Sequence, residues 1–219
     1  MEYLELLSWT CIVFTVGMFS TGLPDLKRMI HTKSTENIQF LPYLATCLNN
    51  FGWFYYGMLK LDHTIILVNV IGAVLQCLYI ITFTFFTKQK KLVLIQTLTA
   101  AAMLLFGWFY FSRVLIDDLD RINQMGLTCF VITICMYMSP LADLMTVIRT
   151  GNIQCLSFSL TVATFFTSTS WVLYGLQLHD NFIVGPNSPG IITSLIRFYL
   201  FWKFASANQS SPSYKLVPI

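Results

Sequence analysis

Seven long apolar runs, separated by short polar segments, make up almost the whole chain. Each run approaches the roughly 20 residues that an α-helix needs to cross a hydrocarbon core of about 30 Å. The polar connections are too short to form a separate soluble domain. The pattern therefore predicts an all-α integral membrane protein with seven transmembrane helices, at approximately residues 6–26, 38–59, 64–86, 92–112, 124–145, 156–178 and 182–204.

The first three predicted helices and the last three carry the same pattern at a constant offset of 118 residues. Adding 118 to the residue number leads from Trp53 to Trp171 and from Asn69 to Asn187 without a gap. Other identical pairs at this offset are Cys11/Cys129, Thr15/Thr133, Asp25/Asp143, Tyr56/Tyr174, Gly57/Gly175, Asp62/Asp180 and Gly72/Gly190. The chain therefore contains an internal repeat.

Each copy has three helices, and this odd number determines the relative direction of the two copies in the membrane. Two three-helix copies joined directly would point in opposite directions, and the unmatched fourth helix reverses the chain once more. We predict a parallel 3+1+3 bundle with a first repeat at 1–86, a linker helix with its flanking loops at 87–123, a second repeat at 124–204 and a disordered tail at 205–219. Transporters built from parallel repeats bind their substrate near the membrane midplane, between the repeats.

Composition agrees with a membrane location. Apolar residues make up 56% of the 219 residues and charged residues 11%, against roughly 25% charged residues in a soluble domain. The opening residues, MEYLELLSW, include acids but neither Lys nor Arg. This argues against a cleavable signal peptide, which begins with a basic region.

The basic residues predict the orientation, because cytosolic loops carry an excess of Lys and Arg. One side of the predicted bundle holds nine of them, namely Lys27, Arg28, Lys33, Lys88, Lys90, Lys91, Arg149, Lys203 and Lys215. The other side holds three, namely Lys60, Arg113 and Arg121. We therefore expect the amino terminus to be outside or lumenal and the tail to be cytosolic.

Two asparagines and two tryptophans form the main candidate site. Asn69 and Asn187 lie inside apolar helices, where an amide without a hydrogen-bond partner is costly. An amide offers donors and an acceptor without net charge, and an indole face suits the apolar face of a sugar ring. Asparagine also joins membrane helices, and tryptophan often lies at the membrane interface. The repeated pairing with Trp53 and Trp171 favours a site for a neutral polyhydroxyl ligand.

Further polar residues lie one helical turn before each tryptophan. Asn49 and Asn50 precede Trp53, and Thr167 and Ser168 precede Trp171. We expect these side chains to add hydrogen-bonding groups to the same site, with Asn49 and Thr167 as the nearer pair.

Prolines and aspartates near the predicted cytosolic helix ends are candidate gating residues. Pro24, Pro42 and Pro140 remove a backbone hydrogen bond, so each is either a hinge or a simple helix end. Asp25 and Asp143 are equivalent in the repeat and could couple transport to protons. An ion pair or gate at the helix end is favoured, because Lys27, Arg28 and Arg149 are close in sequence.

The sequence contains no nucleophile elbow, phosphate-binding loop or metal-ligand spacing. We therefore predict that the protein is not an enzyme and uses no cofactor and no metal. Nucleic acid is not an expected partner, since the basic residues are spread over short loops.

Several motifs, in this order, resemble the SWEET sugar-transporter family over nearly the whole chain. They are VFTVGMFSTGLPDL, TKSTENIQFLPYL, NNFGWFYYG, MYMSPLADL, STSWVLYGL and IVGPNSPGI. The resemblance implies a bidirectional facilitator of glucose or related sugars that works by alternating access. It also implies homo-oligomers and, as in vertebrate members, a location in Golgi and plasma membranes.

The resemblance also implies residue roles. Asn69, Asn187, Trp53 and Trp171 match the family's sugar-contacting positions, with Asn49 and Thr167 nearby. Pro24, Pro42 and Pro140 match three of four gating prolines, and Ser159 replaces the fourth.

The leading hypothesis is a glucose-type monosaccharide uniporter embedded in a lipid bilayer. The alternative is a proton-coupled exporter of amino acids like the related PQ-loop transporters. Against it, the chain has no Pro-Gln pair and its deep polar residues are uncharged. A receptor is a third hypothesis, but parallel repeats and short loops do not favour it.

Overall fold

Helices account for nearly all of the residues that the computed structural model describes, which are 2–151, 153 and 156–209, with the backbone alone at 138–140, 143 and 205–209. Within these residues the helices are α1 Glu2–Phe19, α2 Leu23–Thr32, α3 Leu41–Lys60, α4 His63–Phe86, α5 Lys90–Phe109, α6 Asp118–Met136, α7 Met138–Thr150, α8 Phe158–Gln177 and α9 Asn181–Gln209. A 3₁₀ turn at Ser20–Gly22 joins α1 to α2, and a turn of π-helix at Tyr110–Val114 follows α5.

These helices form the seven predicted spans in a 3+1+3 arrangement, and two of the spans are broken. The first span is α1 followed by α2, and the fifth is α6 followed by α7. The breaks lie at Phe19–Gly22 and at Tyr137, which are equivalent positions in the repeat, since Tyr137 is 118 residues after Phe19. Each repeat therefore has the same interruption in its first helix, which the apolar pattern did not reveal.

The carboxyl-terminal helix differs from its predicted length. The last span was predicted to end at residue 204, with a disordered tail from 205, but α9 continues to Gln209. The apolar residues of its final turns are followed by Ala, Ser and Asn, which a helix tolerates. The predicted disorder of residues 210–219 lies outside the described residues.

Packing within and between the repeats follows the internal symmetry. In the first repeat α3 packs on α4, and in the second α8 packs on α9. Between the repeats α1 packs on α8 and α6 packs on α3, so each broken helix lies against the middle helix of the other repeat. One core cluster lies at this interface, built on Cys11, Tyr56, Cys129, Trp171 and Tyr174.

Three helical segments of the described chain are long and apolar enough by themselves to cross a membrane: Glu2–Thr32, His63–Phe86 and Lys90–Val114. The other spans carry more polar side chains, such as the serines and threonines that recur through α8. Large apolar side chains are exposed around the bundle, among them Phe85, Phe106 and Trp202 at 73%, 73% and 77%. Lipid is the solvent that suits such a surface.

Candidate substrate cavity

A cavity of about 760 Å³ lies between the two repeats. The basic end of the bundle is the end where Lys27, Arg28, Lys88, Lys90 and Arg149 lie, and the acidic end is the end where Asp62, Asp117, Asp118 and Asp180 lie. The lining extends from Asn69 and Asn187 to Asn37 and Gln39, two exposed residues in the loop between α2 and α3. The cavity therefore opens at the basic end.

The two central amides are held in the same way in both repeats. The Asn69 side-chain Nδ2 donates to the carbonyl oxygen of Ile65, and Asn187 Nδ2 donates to that of Ile183, each over 2.8 Å. Both side chains line the cavity. The bond within the helix uses only the amide nitrogen. The carbonyl oxygen of each amide is therefore left to accept a hydrogen bond from a ligand.

The tryptophans join the two repeats to each other. Trp53 Nε1 donates to Thr133 Oγ1 over 3.1 Å, and Trp171 Nε1 donates to Thr15 Oγ1 over 2.8 Å. Each indole thus bonds to the broken helix of the other repeat while its ring lines the cavity. Sequence reasoning assigned no partner to the indoles, although Thr15 and Thr133 were visible as an identical pair.

The residues before the tryptophans are close to the same threonines. Thr133 Oγ1 donates onward to Asn49 Oδ1 over 3.0 Å, which completes a chain from indole to amide. Thr167 is buried, and its hydroxyl has no hydrogen-bond partner among the described residues. The structure therefore brings the six predicted site residues into one cavity, namely Asn49, Trp53, Asn69, Thr167, Trp171 and Asn187.

The acidic end is closed by hydrogen bonds exchanged between the repeats. Tyr56 donates to Asp180 Oδ2 over 2.7 Å, and Tyr174 donates to the two Asp62 oxygens over 2.9 and 3.0 Å. Lys60 approaches Asp180 to 3.2 Å, and the Asp180 side chain is 2% exposed. The tyrosines and aspartates were noted as repeat pairs, but their exchange across the interface was missed.

The same aspartates also begin helices. Asp62 accepts from the backbone N–H of Ile65, and Asp180 accepts from that of Phe182. A carboxylate at this position satisfies N–H groups that have no partner within the helix. Each aspartate therefore caps the start of the third helix of its own repeat and accepts a hydrogen bond from a tyrosine of the other repeat.

The candidate gating prolines lie at helix starts. Pro24 is in the first turn of α2, and Pro42 is in the first turn of α3, where a missing N–H costs nothing. Ser159, at the fourth family position, is in the first turn of α8, which is capped by Ser157. Pro140 lies in α7, and its side chain is outside the described part of the chain.

Asp25 has a different partner from the one predicted. A gate or an ion pair at the helix end was expected; among the described residues no ion pair with Lys27 or Arg28 forms, and Asp25 Oδ2 accepts from the Tyr43 hydroxyl over 2.8 Å. The described residues contain no salt bridge at Asp25. Helix α2 ends at Thr32, and the chain folds back into α3. A tyrosine of α3, rather than the neighbouring lysine, therefore contacts this carboxylate. The side chain of Asp143, the equivalent residue, is outside the described part.

Comparisons with known proteins agree with this geometry. The family model MtN3_slv, described as a sugar efflux transporter for intercellular exchange, matches residues 5–91 and 123–209, two blocks offset by 118 residues. The chain is 59% identical to the sugar transporter SWEET1 of Danio rerio over 100% of both chains. It is 52% identical to SWEET1 of Homo sapiens over 91% of this chain and 90% of the human one.

A solved structure of a eukaryotic SWEET transporter superposes with a TM-score of 0.85 at 29% identity, covering 93% of this chain and 97% of that one. Parallel three-helix repeats around a shared cavity define a membrane transporter rather than an enzyme. The chain belongs to the SWEET family of sugar transporters. Its substrate is accordingly a small sugar, and the relatives give no support to the amino-acid exporter.

Proposed function

We propose that the protein is a bidirectional facilitative uniporter for a glucose-type monosaccharide and that it works by alternating access. The observation that carries the proposal is a cavity between equivalent repeats that is open at the basic end and closed at the acidic end. By the excess of Lys and Arg, the open end faces the cytosol.

The lining of the cavity suits a neutral, polyhydroxyl ligand. Its volume of about 760 Å³ lies within the ~300–1,000 Å³ of small-molecule sites. The side-chain carbonyl oxygens of Asn69 and Asn187 can accept hydrogen bonds from sugar hydroxyls, one from each repeat. The rings of Trp53 and Trp171 offer apolar faces to the C–H groups of a pyranose. These are the roles that we assign to the four residues.

Alternating access needs one end to open as the other closes. Opening the acidic end requires separation of Tyr56 from Asp180 and of Tyr174 from Asp62. Hydrogen bonds to charged groups contribute about 1.5–3 kcal/mol each. Bonds of this strength favour the closed state of the acidic end and can still be broken during transport. At the basic end, the breaks after Phe19 and at Tyr137 let α2 and α7 move relative to α1 and α6.

The proposed mechanism is uniport because the lining carries little charge. Of the described residues that line the cavity, only Asp25 is charged, and Tyr43 binds it at the mouth. Neutral groups bind a neutral sugar without an accompanying ion. The affinity should be weak, on the order of millimolar, or about −4 kcal/mol, so that the sugar leaves quickly.

Purified protein in liposomes tests the proposal. We expect radiolabelled glucose to enter down its own gradient, at equal rates with and without a proton or sodium gradient. Unlabelled glucose inside should accelerate uptake by counterflow, because a uniporter returns faster when loaded. Galactose, fructose and sucrose rank the substrates in the same assay. Uptake that requires an ion gradient would exclude uniport.

The cellular setting is proposed from the family resemblance alone. We place the protein in the Golgi and plasma membranes as a homo-oligomer. Fluorescence microscopy of the tagged protein beside compartment markers tests the location, and chemical cross-linking in membranes followed by gel electrophoresis tests the assembly. Staining confined to another organelle, or monomers alone at every cross-linker concentration, would contradict these assignments.

A further inference from the structure

The two repeats differ in chemistry just beyond the central amides. At the offset of 118 residues, Asn50 corresponds to Ser168, Gln76 to Ser194 and Phe19 to Tyr137. The first repeat therefore presents two amides and a phenyl ring where the second has two hydroxyls and a phenol. A symmetric pair of repeats thus contains an asymmetric wall.

In the second repeat the hydroxyls of Tyr137 and Ser168 lie close to each other. They meet over Gly190, where a methyl group would lie 2.7 Å from the Tyr137 hydroxyl and closer still to Ser168 Oγ. The second repeat therefore has two neighbouring hydroxyls here, each able to donate and to accept a hydrogen bond.

In the first repeat the equivalent groups have no partner. Asn50 is 2% exposed and Gln76 is 4% exposed, yet Asn50 Nδ2 and Gln76 Oε1 make no hydrogen bond with any described residue. Both residues line the cavity. Phe19 stands where Tyr137 stands in the second repeat, and it has no hydroxyl to offer.

The two unpaired groups belong to one wall. A methyl group at Gly72 would lie 2.5 Å from Asn50 Nδ2 and 2.5 Å from Phe19 Cε2, so the Asn50 amide rests directly on Gly72. Gln76 follows Gly72 by one turn of α4 and shares its face. The wall thus holds an unpaired donor at Gly72 and an unpaired acceptor one helical turn further along α4.

A single sugar hydroxyl satisfies both groups at once, since it accepts one hydrogen bond and donates another. Buried polar groups without partners are rare and costly, which favours a ligand that completes them. We propose that Asn50 and Gln76 form a subsite, displaced from the central amides into the first repeat, that binds one hydroxyl of the transported sugar. This subsite holds the sugar in one orientation and contributes to its selection.

The inference rests on the proposed monosaccharide transport, and it makes a narrower claim. A site built to bind a particular hydroxyl discriminates against the analogue that lacks it. The wild-type protein should therefore transport one of 2-, 3-, 4- and 6-deoxyglucose with a KM raised by roughly five- to 150-fold, the factor of two neutral hydrogen bonds.

Two variants remove the subsite without a large change of shape. Gln76→Met keeps the length of the side chain and loses the amide, and Asn50→Ser copies the residue of the second repeat. In each, KM for glucose should rise by roughly two- to tenfold, and the discrimination against that one deoxyglucose should fall by the same factor. Ser194→Ala, at the equivalent position of the second repeat, is the matched control and should behave as wild type.

Phe19→Tyr tests the same idea by addition. It gives the first repeat the phenol that the second repeat already accommodates, so Asn50 gains an internal partner. The ratio of the KM for that deoxyglucose to the KM for glucose should again fall, in a protein that keeps the aromatic ring at this position.

The outcomes separate the inference from the proposal beneath it. Variants that fold and keep the full wild-type discrimination would overturn the subsite and leave sugar transport intact, and so would equal KM values for all four deoxyglucoses. Unchanged KM with lower Vmax would assign Asn50 and Gln76 to structure alone, with water as their partner, and would also overturn it. A wild-type protein that transports none of these sugars would overturn both.

Discussion

The two ends of the cavity are made from equivalent parts of one repeated sequence, yet only one of them is closed. At the acidic end, Tyr56 and Tyr174 each bond to an aspartate of the opposite repeat. At the basic end, Tyr43 bonds to Asp25 within the first repeat. Tyr79 likewise donates to the Phe19 carbonyl oxygen of the same repeat over 3.1 Å. Bonds that cross the interface hold an end shut, whereas bonds within a repeat leave it open.

The sequence itself carries this difference. The tyrosines and aspartates of the acidic end are identical in both copies. At the basic end, by contrast, Tyr43 has Thr161 as its counterpart and Tyr79 has Arg197. When donor and acceptor are present in both repeats, each repeat can donate a hydrogen bond to the other across the pseudo-twofold axis. When only one repeat has the tyrosine, this reciprocal pair of bonds cannot form.

Asn187→Ala tests whether binding is separate from closure of either end. Loss of this amide removes a central acceptor, so we expect glucose flux in liposomes to fall at least tenfold, with surface expression and the closed acidic end unchanged. Asn181→Ala, at an exposed position of the same helix, should transport normally. Wild-type flux in Asn187→Ala would remove the residue from the site.

The double variant Tyr56→Phe/Tyr174→Phe breaks the closed end directly. It keeps both rings and deletes the bonds to Asp180 and Asp62, at about 1.5–3 kcal/mol per bond to a charged group. Spin labels at the exposed residues Leu61 and His179, in the two equivalent loops of the acidic end, should report a longer distance than in the parent protein. Flux should fall several-fold.

Tyr199→Phe is the control for the double variant, because this tyrosine is 52% exposed on the outside of the bundle. An unchanged distance distribution between Leu61 and His179 in the double variant would show that the tyrosines do not hold the acidic end shut.

Asp25→Asn probes the open end and should have a smaller effect. Asparagine can still accept from Tyr43, so the bond within the repeat survives and flux should change by less than about threefold. The dependence of flux on pH should match that of the wild type. A pH-dependent flux that is lost in Asp25→Asn would instead indicate proton coupling.

Ser159→Pro should have the smallest effect of the four. It restores the residue expected at the fourth family position, in the first turn of α8. Since a proline there sacrifices no intrahelical bond, the free energy of unfolding should change by less than about 1 kcal/mol and flux by less than twofold. A large gain in flux would show that the basic end needs a hinge in α8.

Features that depend on one stretch of chain were predictable. The apolar runs located the spans, and the offset between Trp53 and Trp171 predicted two parallel copies with their polar residues at matching depth. The broken first helix of each repeat was predictable only in part: Pro24 and Pro140 indicated a hinge or a helix end close to the breaks, but the apolar pattern runs through Phe19 and Tyr137 without interruption. Of the two roles expected at Asp25, a gate or an ion pair, the ion pair does not form among the described residues, since closeness in sequence does not decide which helix faces a carboxylate.

By itself, the sequence determined the seven spans, their repeat and the neutral amides within them, because hydrophobicity and identity at a fixed offset can be read along one dimension. Only the tertiary structure decided that Tyr56 meets Asp180, that each indole bonds to the opposite repeat and that Asn50 and Gln76 lack partners. These contacts join residues on different helices, and their geometry comes from packing. The direction in which the cavity opens follows from those contacts.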